Sequence, residues 1–588
     1  MGDRAQYSAS MARRHQRRLD RIRRALQPQP AGDAFSADDC SIEHNVSLDA
    51  KELTLLDDLQ MRTFIGAGWL ALAAPELPES FHEAIHSRAE ATFGPGRKAG
   101  VTNVAVGITP ELQLLLRSPT VAGALTSLLG QGFTFGHLGA GGCALHCSME
   151  GGDQLFHKDS QRSGVNGQRT RAVMVMYYPG ACDADMGPTA VVPSSHLLAP
   201  EGLGLSLGVM AEGAAAVADQ EDWTGVQRPT ATAPSLEEHL LVLPRGDAAQ
   251  RIVVIHEDLV HRATSKLGPD APWRCLFKFT FTRTSEPQGP TWDHQPEQLV
   301  RGVGQDWPGL AAAEAWPACE GIWRWHLGEQ AAGPEEASSA MDVAALGARL
   351  LVDRYDGDEA GRTAAAYQLG LNGGDSALPY LIDALCDVEN ESARRAGAQG
   401  LAVAGERGAD TLLELLEDAS ADDVDASPLT VGSAVEAIGE AAVSPSVELV
   451  EALALTMTAQ RDAIDAAPAS EQPDFHSDDF IVETLQIPVI MPVAHRPVAL
   501  RYLVLTVAQT ALGRVAQRCA GAGDSNVRMA LLAALVPWSH SECPRVREEN
   551  NRAMLSLCVA AGCLSDALDD TERTALVDVR TPATPTTT

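Results

Sequence analysis

His157 and Asp159 stand one residue apart in Leu155-Phe156-His157-Lys158-Asp159-Ser160, and His261 stands alone about a hundred residues later in Val260-His261-Arg262-Ala263. These are side-chain types that can hold a divalent metal. Two neutral imidazoles and one carboxylate on one side of a metal leave its opposite side open, which is the arrangement of non-haem Fe(II) oxygenases. On an extended segment side chains alternate, so His157 and Asp159 would face one interior while Lys158 faces away. A His-x-acid pair alone is weak evidence. With 16 His and 78 acidic residues in 588, roughly two such pairs arise by chance, and His256-x-Asp258, His476-x-Asp478 and His540-x-Glu542 compete with this one.

Context selects His157. A β-type run, Ala172 to Tyr178, follows it. Next come Asp185-Met186-Gly187-Pro188-Thr189-Ala190-Val191-Val192-Pro193-Ser194-Ser195-His196, then Arg251 to Ala263, then Arg274 thirteen residues beyond His261. In this order and spacing the chain resembles the phytanoyl-CoA dioxygenase family of Fe(II)/2-oxoglutarate-dependent dioxygenases. That family is marked by a His-x-Asp, a Gly-Pro to Pro-Gly-Ser-His turn, and a distal His followed by an Arg. The resemblance runs from about Leu53 to Thr284. Upstream, the helical pair ending at Gly130 and the segment Phe64 to Leu70 look like the family's pre-barrel helices and opening strand. Ser194 stands where relatives commonly carry Gly, and Lys158 where they often carry Gln.

The resemblance implies a double-stranded β-helix (jelly-roll, cupin-like) barrel with flanking helices. It implies Fe(II) on His157, Asp159 and His261, with 2-oxoglutarate and O2 as co-substrates. Arg274 would grip the remote carboxylate of 2-oxoglutarate with a bidentate pair of charge-assisted hydrogen bonds, and Thr264 or Ser265 would add a hydroxyl. The implied reaction is hydroxylation of a C–H bond of a small-molecule substrate with decarboxylation of 2-oxoglutarate to succinate. Because Asp159 keeps a carboxylate at the position that iron halogenases of this fold give to a small residue, hydroxylation is expected over halogenation. Each residue also has a plainer reading. His157 and Asp159 could be a buried structural pair, and Arg274 a surface ion-pair residue with Arg283 or Lys278 as the anchor instead. His256 falls on the opposite side of a strand from His261 by parity, which makes it a structural histidine, and His196 belongs to a structural turn. One of Tyr177 and Tyr178 would face the co-substrate. The aromatic run Ile322 to His326 reads as packing at a domain junction.

Several elements must position these residues. Leu112 to Leu129 is a helical pair broken at Ser118-Pro119 and closed by Gly130, the usual stop signal. Strand candidates are Phe133 to His137, Ala144 to Ser148, Ala172 to Tyr178, Thr189 to Val192, Ile252 to Ile255 and Leu276 to Thr282; short strands between Gly/Pro turns suggest a sandwich or barrel. From about Met341 the chain turns Ala/Leu/Gly-rich and self-similar. Gln368 to Gly374 leads into Ala377 to Leu385, Gly400 to Gly405 into Thr411 to Leu416 at an offset of about 31, and Ala437 to Ala441 into Val447 to Leu453. Helix, turn, helix at this period is how a HEAT-like solenoid is written, because each pair leaves an apolar face that only the next can cover. Leu500 to Arg518, Ser525 to Leu535 and Val546 to Leu557 would continue it.

The expected organisation is multidomain: a loosely attached arm over 1–48, the dioxygenase domain over 49–330, a linker over 331–342, an all-α HEAT-like repeat domain over 343–570 and a disordered tail over 571–588. A net charge of −33 and a pI near 4.8 argue against nucleic acid and anionic membrane as partners, since phosphate repels an acidic surface. No run of about 18 apolar residues occurs, which excludes a helical membrane span. Eleven Cys without a C-x-x-C pair suggest reduced thiols. These point to the cytoplasm, with organelle targeting by the Arg-rich first 30 residues as an alternative. The repeats leave two further readings: a protein hydroxylase that recruits a protein partner through them, or a non-enzymatic interaction protein with a vestigial barrel.

Overall fold

A computed structural model of the chain describes residues 53–93, 111–131, 133–135, 143–147, 158, 168–198, 241–243, 251–264, 266, 274–296, 307–310, 313–329, 341–352, 358–420, 427–441, 443–468, 496–519 and 525–538, with single positions at 541, 546, 550, 553, 556 and 557. The expected arm and tail, His157, Asp159 and Ser265 lie outside the described residues, as do the competing pairs at His476 and His540.

The first half is a layer of helices on two antiparallel sheets. Helix α1 (Asp58–Ala67) starts at Asp57, whose carboxylate accepts the Gln60 N–H while the Gln60 side chain reaches back, a reciprocal cap. It ends at Gly68 in the left-handed conformation, and strand β1 (Trp69–Leu72) begins there. The expected opening strand therefore starts later than Phe64: Phe64 to Ala67 is helix, because the cap at Asp57 and the burial of Met61, Phe64, Ile65 and Ala67 on one helix outweigh the β-type look of the segment. Helix α2 (Glu79–Phe93) is followed by α3 (Glu111–Leu116) and α4 (Pro119–Leu129). The break falls at Ser118, which caps α4 through Val121 N–H, with Pro119 at the first helical position, where its missing N–H has no partner to lose.

The strands are β2 (Thr134–Phe135), β3 (Cys143–Cys147), β4 (Ala172–Tyr177), β5 (Thr189–Val191), β6 (Leu241–Leu243), β7 (Ile252–His256), β8 (His261–Ala263) and β9 (Cys275–Thr282). Five of the six expected strands match to within a residue or two, and β2 lies within the sixth, Phe133 to His137, of which residues 136–137 are outside the described residues. Strands β6 and β8 were not among the expected strands. The larger sheet runs β1-β7-β4-β9-β2, with β3 also pairing β9, and the smaller runs β6-β5-β8. Strand β4 shows why the arrangement holds. Val173, Val175 and Tyr177 join Phe277, Phe279, Ile252 and Val254 in an apolar cluster with Phe64, Leu125 and Leu128 of the helices. Met174, Met176 and Tyr178 join Val253, Ile255 and Leu276 in a second cluster with Val191 of the smaller sheet. A strand covered on both faces reads as a continuous apolar run rather than an alternating one.

Helix α5 (Trp316–His326) closes the first half. The second is helical: α6 (Val343–Leu350), α7 (Glu359–Asn372), α8 (Leu378–Cys386), α9 (Glu391–Val403), α10 (Glu406–Ser420), α11 (Pro428–Glu440), α12 (Val447–Ala466), α13 (Arg496–Arg518) and α14 (Ser525–Leu535). Helices stand where the self-similar segments lie; α9 packs on both α7 and α11, and α11 packs on α13. Their close approach depends on glycine: a Cβ at Gly370 would lie 2.2 Å from the Gly400 carbonyl oxygen. One apolar cluster runs through these helices. Among the described residues, no helix is long and apolar enough to cross a membrane.

The halves meet through buried contacts. Helix α5 packs on α7, and Tyr367 and Val403 of the helical half belong to the same apolar cluster as Ala318, Cys319 and Ile322. The run Ile322 to His326 is junction packing, as expected. Beside it lies a buried ionic cluster. Arg171 places Nε 3.0 Å from a Glu440 carboxylate oxygen and Nη1 2.7 Å from Glu286, Arg514 Nη1 lies 2.8 Å from Glu440, and Trp325 donates its indole N–H to Glu286 at 2.7 Å. The Arg169, Arg171 and Arg283 guanidinium groups all lie over the Trp325 ring.

Candidate metal centre

Strand β5 and the turn after it hold His261 in place. Val191 pairs with His261 in the β5–β8 ladder, Val192 N–H donates to the Val260 carbonyl at 2.9 Å, and Val260 N–H donates to Ser195 Oγ at 2.8 Å. His261 is 4% exposed, and its Nδ1 lies 2.9 Å from the Leu259 carbonyl. A carbonyl only accepts, so Nδ1 carries a proton and Nε2 is the nitrogen that would be offered to a metal.

The Pro193-Ser194-Ser195-His196 turn locks this region to the helices. Ser194 has φ of 64°, a left-handed conformation that disfavours a side chain by about 1–2 kcal/mol, which accounts for Gly at this place in the resembled family. Ser194 offsets the strain through its hydroxyl, which donates to the Gly66 carbonyl at 2.8 Å, and through its N–H on the Ala67 carbonyl. His196 is buried with Nε2 3.0 Å from the Ile65 carbonyl, and burial holds its pKa well below the usual histidine range. It is structural, as expected. So is His256, which accepts the Asp258 N–H on Nδ1, lies 3.3 Å from the Arg169 carbonyl through Nε2, and is pushed down to about 4 by burial. The ground for separating His256 from His261 differs from parity along one strand: a turn sends them to different sheets.

Arg274 precedes β9 and is in step with Leu276, which belongs to the cluster between the sheets. Its side chain is 1% exposed and donates through Nη1 to the Gly187 carbonyl. Its charge acts on Tyr178 and Cys182, opposing the burial that pushes each of them up to about 12. Tyr178 donates to Thr189 Oγ1 at 2.7 Å, so Tyr178 is the member of the pair on this side. Tyr177 points to the helices, 2.8 Å from His82 Nδ1. Thr264 donates both its N–H and its hydroxyl to the Pro188 carbonyl, at 3.0 and 2.7 Å. The Gly187-Pro188 turn thus receives Arg274 on one carbonyl and Thr264 on the next. Of the rival anchors, Arg283 is engaged at the junction, where it donates to the Thr170 and Leu128 carbonyls.

Lys158 is the residue whose placement the sequence did not reveal. It is 2% exposed, and its Nζ donates to the Leu198 carbonyl at 2.8 Å. Burial lowers its pKa, and the Asp258 and Glu359 carboxylates oppose that effect. Among the described residues, no group of three or more His, Cys, Asp or Glu could hold a metal; His261 is the one expected ligand they include.

No protein-family model matches this chain, and no curated protein matches it. Several solved structures are similar to part of it. The non-heme alpha ketoglutarate dependent carbocyclase SnoK from nogalamycin biosynthesis is 16% identical over 44% of this chain and 94% of its own, with a TM-score of 0.27. EctD from S. alaskensis with bound Fe is 15% identical over 43% and 86%, with a TM-score of 0.27. The non-heme monooxygenase ThoJ in complex with Ni is 14% identical over 40% and 84%, with a TM-score of 0.25. Likeness at this level leaves the reaction to be argued from the residues.

Proposed function

We propose that the chain is an Fe(II)- and 2-oxoglutarate-dependent dioxygenase that hydroxylates a C–H bond of a small molecule. Iron is held by His157, Asp159 and His261, and the two sheets form a double-stranded β-helix. The supporting observation is that β5 and the turn before it serve both His261 and Arg274: Val191 pairs with His261, and the Gly187 carbonyl accepts from the buried Arg274 guanidinium. A buried guanidinium beside a phenol, a thiol and a carbonyl suits the remote carboxylate of 2-oxoglutarate, which it can grip with two hydrogen bonds.

Iron with 2-oxoglutarate and O2 supplies the oxidising chemistry, with succinate and CO2 as co-products. The chain's own part is positioning. The Leu259 carbonyl accepts from His261 Nδ1 and orients the ring, Arg274 would bind the remote carboxylate of the co-substrate, and Tyr178 with Thr189 would offer hydroxyls to it. Met174, Met176, Val191 and Ile255 keep the space apolar and exclude water. The helical half is a HEAT-like stack that forms part of the enzyme body, as its shared apolar cluster with α5 supports.

Anaerobic Fe(II) titration followed by succinate formation from 2-oxoglutarate tests this reading. One Fe(II) per chain is expected in the wild type and none in His157→Ala. A wild-type chain that binds no Fe(II) would sink it.

A further inference from the structure

The ionic cluster between the halves is short of negative charge. Arg169, Arg171 and Arg283 enter it from the first half and Arg514 and Arg518 from α13, while among the described residues two carboxylates, Glu286 and Glu440, lie against these five guanidinium groups. Both carboxylates are ionised, each held near 2 by the arginines around it against the burial that would raise it. Glu436 acts on Arg514 from further off and is shared with Arg395. A buried charge is stable only where it is paired or hydrogen-bonded. Three of the arginines meet that condition. Arg169 donates to the Glu440 carbonyl, Arg283 donates to the Thr170 and Leu128 carbonyls, and Arg514 pairs with the Glu440 carboxylate.

The other two meet it in part. Arg171 gives Nε to Glu440 and Nη1 to Glu286, and its Nη2 has no hydrogen-bond partner among the described residues. Arg518 gives Nη1 to the Gly439 and Ala441 carbonyls, and its Nε and Nη2 have none. All three nitrogens are out of reach of solvent. They belong to one place, since Arg171 and Arg518 are the two cations that act most strongly on Glu286. Burial, with the Arg171 and Arg169 charges, outweighs Glu286 and brings the Arg518 guanidinium down to about 10. Arg171 and Arg518 are also the half-buried members of the cluster, the other three being buried, so an ion can arrive on their side without the halves parting.

We propose that the junction binds one small oxyanion, gripped by the Nε–Nη2 edge of Arg518 and by Nη2 of Arg171. That edge of a guanidinium presents two parallel N–H groups, which match two oxygens of a phosphate or a carboxylate and not a single spherical ion. The Glu286 carboxylate beside the site opposes the anion, and the excess of guanidinium groups outweighs that one charge. Because Arg171 belongs to the sheet half and Arg518 to the helical half, the bound anion ties the two together. The inference is independent of the proposed iron chemistry.

The test is equilibrium dialysis and isothermal titration calorimetry of the full-length protein at constant ionic strength, with inorganic phosphate, acetate and chloride as separate probes. One phosphate or one acetate per chain is expected, with chloride weaker by about tenfold or more; whichever of the two binds tells a tetrahedral from a planar ligand. Arg518→Lys keeps the charge and removes the paired N–H edge, so its dissociation constant for the bound oxyanion should rise about tenfold or more. The thermal midpoint should rise with oxyanion concentration in the wild type and less in Arg518→Lys, while the general salting effect is common to both. If Arg518→Lys does not fold, Gln517→Glu decides: Gln517 Oε1 lies 3.5 Å from Arg171 Nη1, and a carboxylate of the chain's own there should displace the oxyanion. A wild type that binds neither phosphate nor acetate overturns the inference. So does chloride bound as tightly as either, or unchanged oxyanion binding in a folded Arg518→Lys, or in Gln517→Glu where that variant decides.

Discussion

Glu440 is the group on which the union of the two halves most depends, and Glu440→Gln tests it. The carboxylate is 2% exposed and faces Arg171 at 3.0 Å, Arg514 at 2.8 Å and Arg169 at 3.8 Å. The Gln variant keeps the shape and removes the charge, which leaves three buried guanidinium groups with Glu286 as the remaining carboxylate at 2.7 Å from Arg171. Breaking a buried ion pair from one side is destabilising by about 3–5 kcal/mol. The pH dependence gives the same scale. Burial would raise the pKa of Glu440, but the Arg171, Arg514 and Arg169 charges overcome it and hold the group at about 2 against an ordinary 4.5. A shift of that size is worth on the order of 3 kcal/mol. Because the folded pKa is the lower one, this stability is fully present above pH 4.5 and is lost as pH falls toward 2. Urea unfolding followed by tryptophan fluorescence, which reports mainly the first half, where eight of the nine Trp stand, Trp323 and Trp325 at the junction among them, and by far-UV circular dichroism, which reports the helices, should give coincident transitions in the wild type at pH 7. In Glu440→Gln the fluorescence midpoint should drop and separate from the dichroism midpoint. A variant within about 0.5 kcal/mol of the wild type, a margin typical of surface changes, with the two probes still coincident, would refute the reasoning.

Four further outcomes follow from the same geometry. Arg274→Ala should raise the 2-oxoglutarate concentration for half-maximal succinate formation about a hundredfold, the loss of two charge-assisted hydrogen bonds; an unchanged value would move the anchor elsewhere. Ser194→Ala keeps the left-handed strain and loses the bond to the Gly66 carbonyl, so denaturant unfolding should show about 1 kcal/mol of lost stability, whereas Ser194→Gly, which relieves the strain, should differ from wild type by less than about 0.5 kcal/mol. Gly370→Ala forces a Cβ against the Gly400 carbonyl and should lower helical-half stability by about 1–3 kcal/mol, measured as the dichroism midpoint in urea. Lowering the pH from 5 to 3 should weaken the junction in the wild type more than in Glu440→Gln, as Glu286, also held near 2 against 4.5 by Arg171, is then the main group left to titrate; equal acid sensitivity would show that Glu440 is not linked to folding.

The sequence alone determined what is local. The apolar run from Ala172 to Tyr178, the break at Ser118-Pro119, the Gly130 stop and the helix pairs after Met341 are periodic or turn-chemical signals, and each is complete within a few residues of chain. The order of His157, Asp159, Gly187-Pro188, His261 and Arg274 was legible in the same way. The tertiary structure decided what depends on distant partners. Arg171 meets Glu440 across 269 residues, Lys158 is buried, Tyr178 rather than Tyr177 faces the space between the sheets, and a turn carries His261 to a different sheet from His256. No local pattern specifies these. A charged side chain is stable in the interior only where packing brings it an opposite charge or a carbonyl, and which groups meet is set by how whole helices and sheets stack.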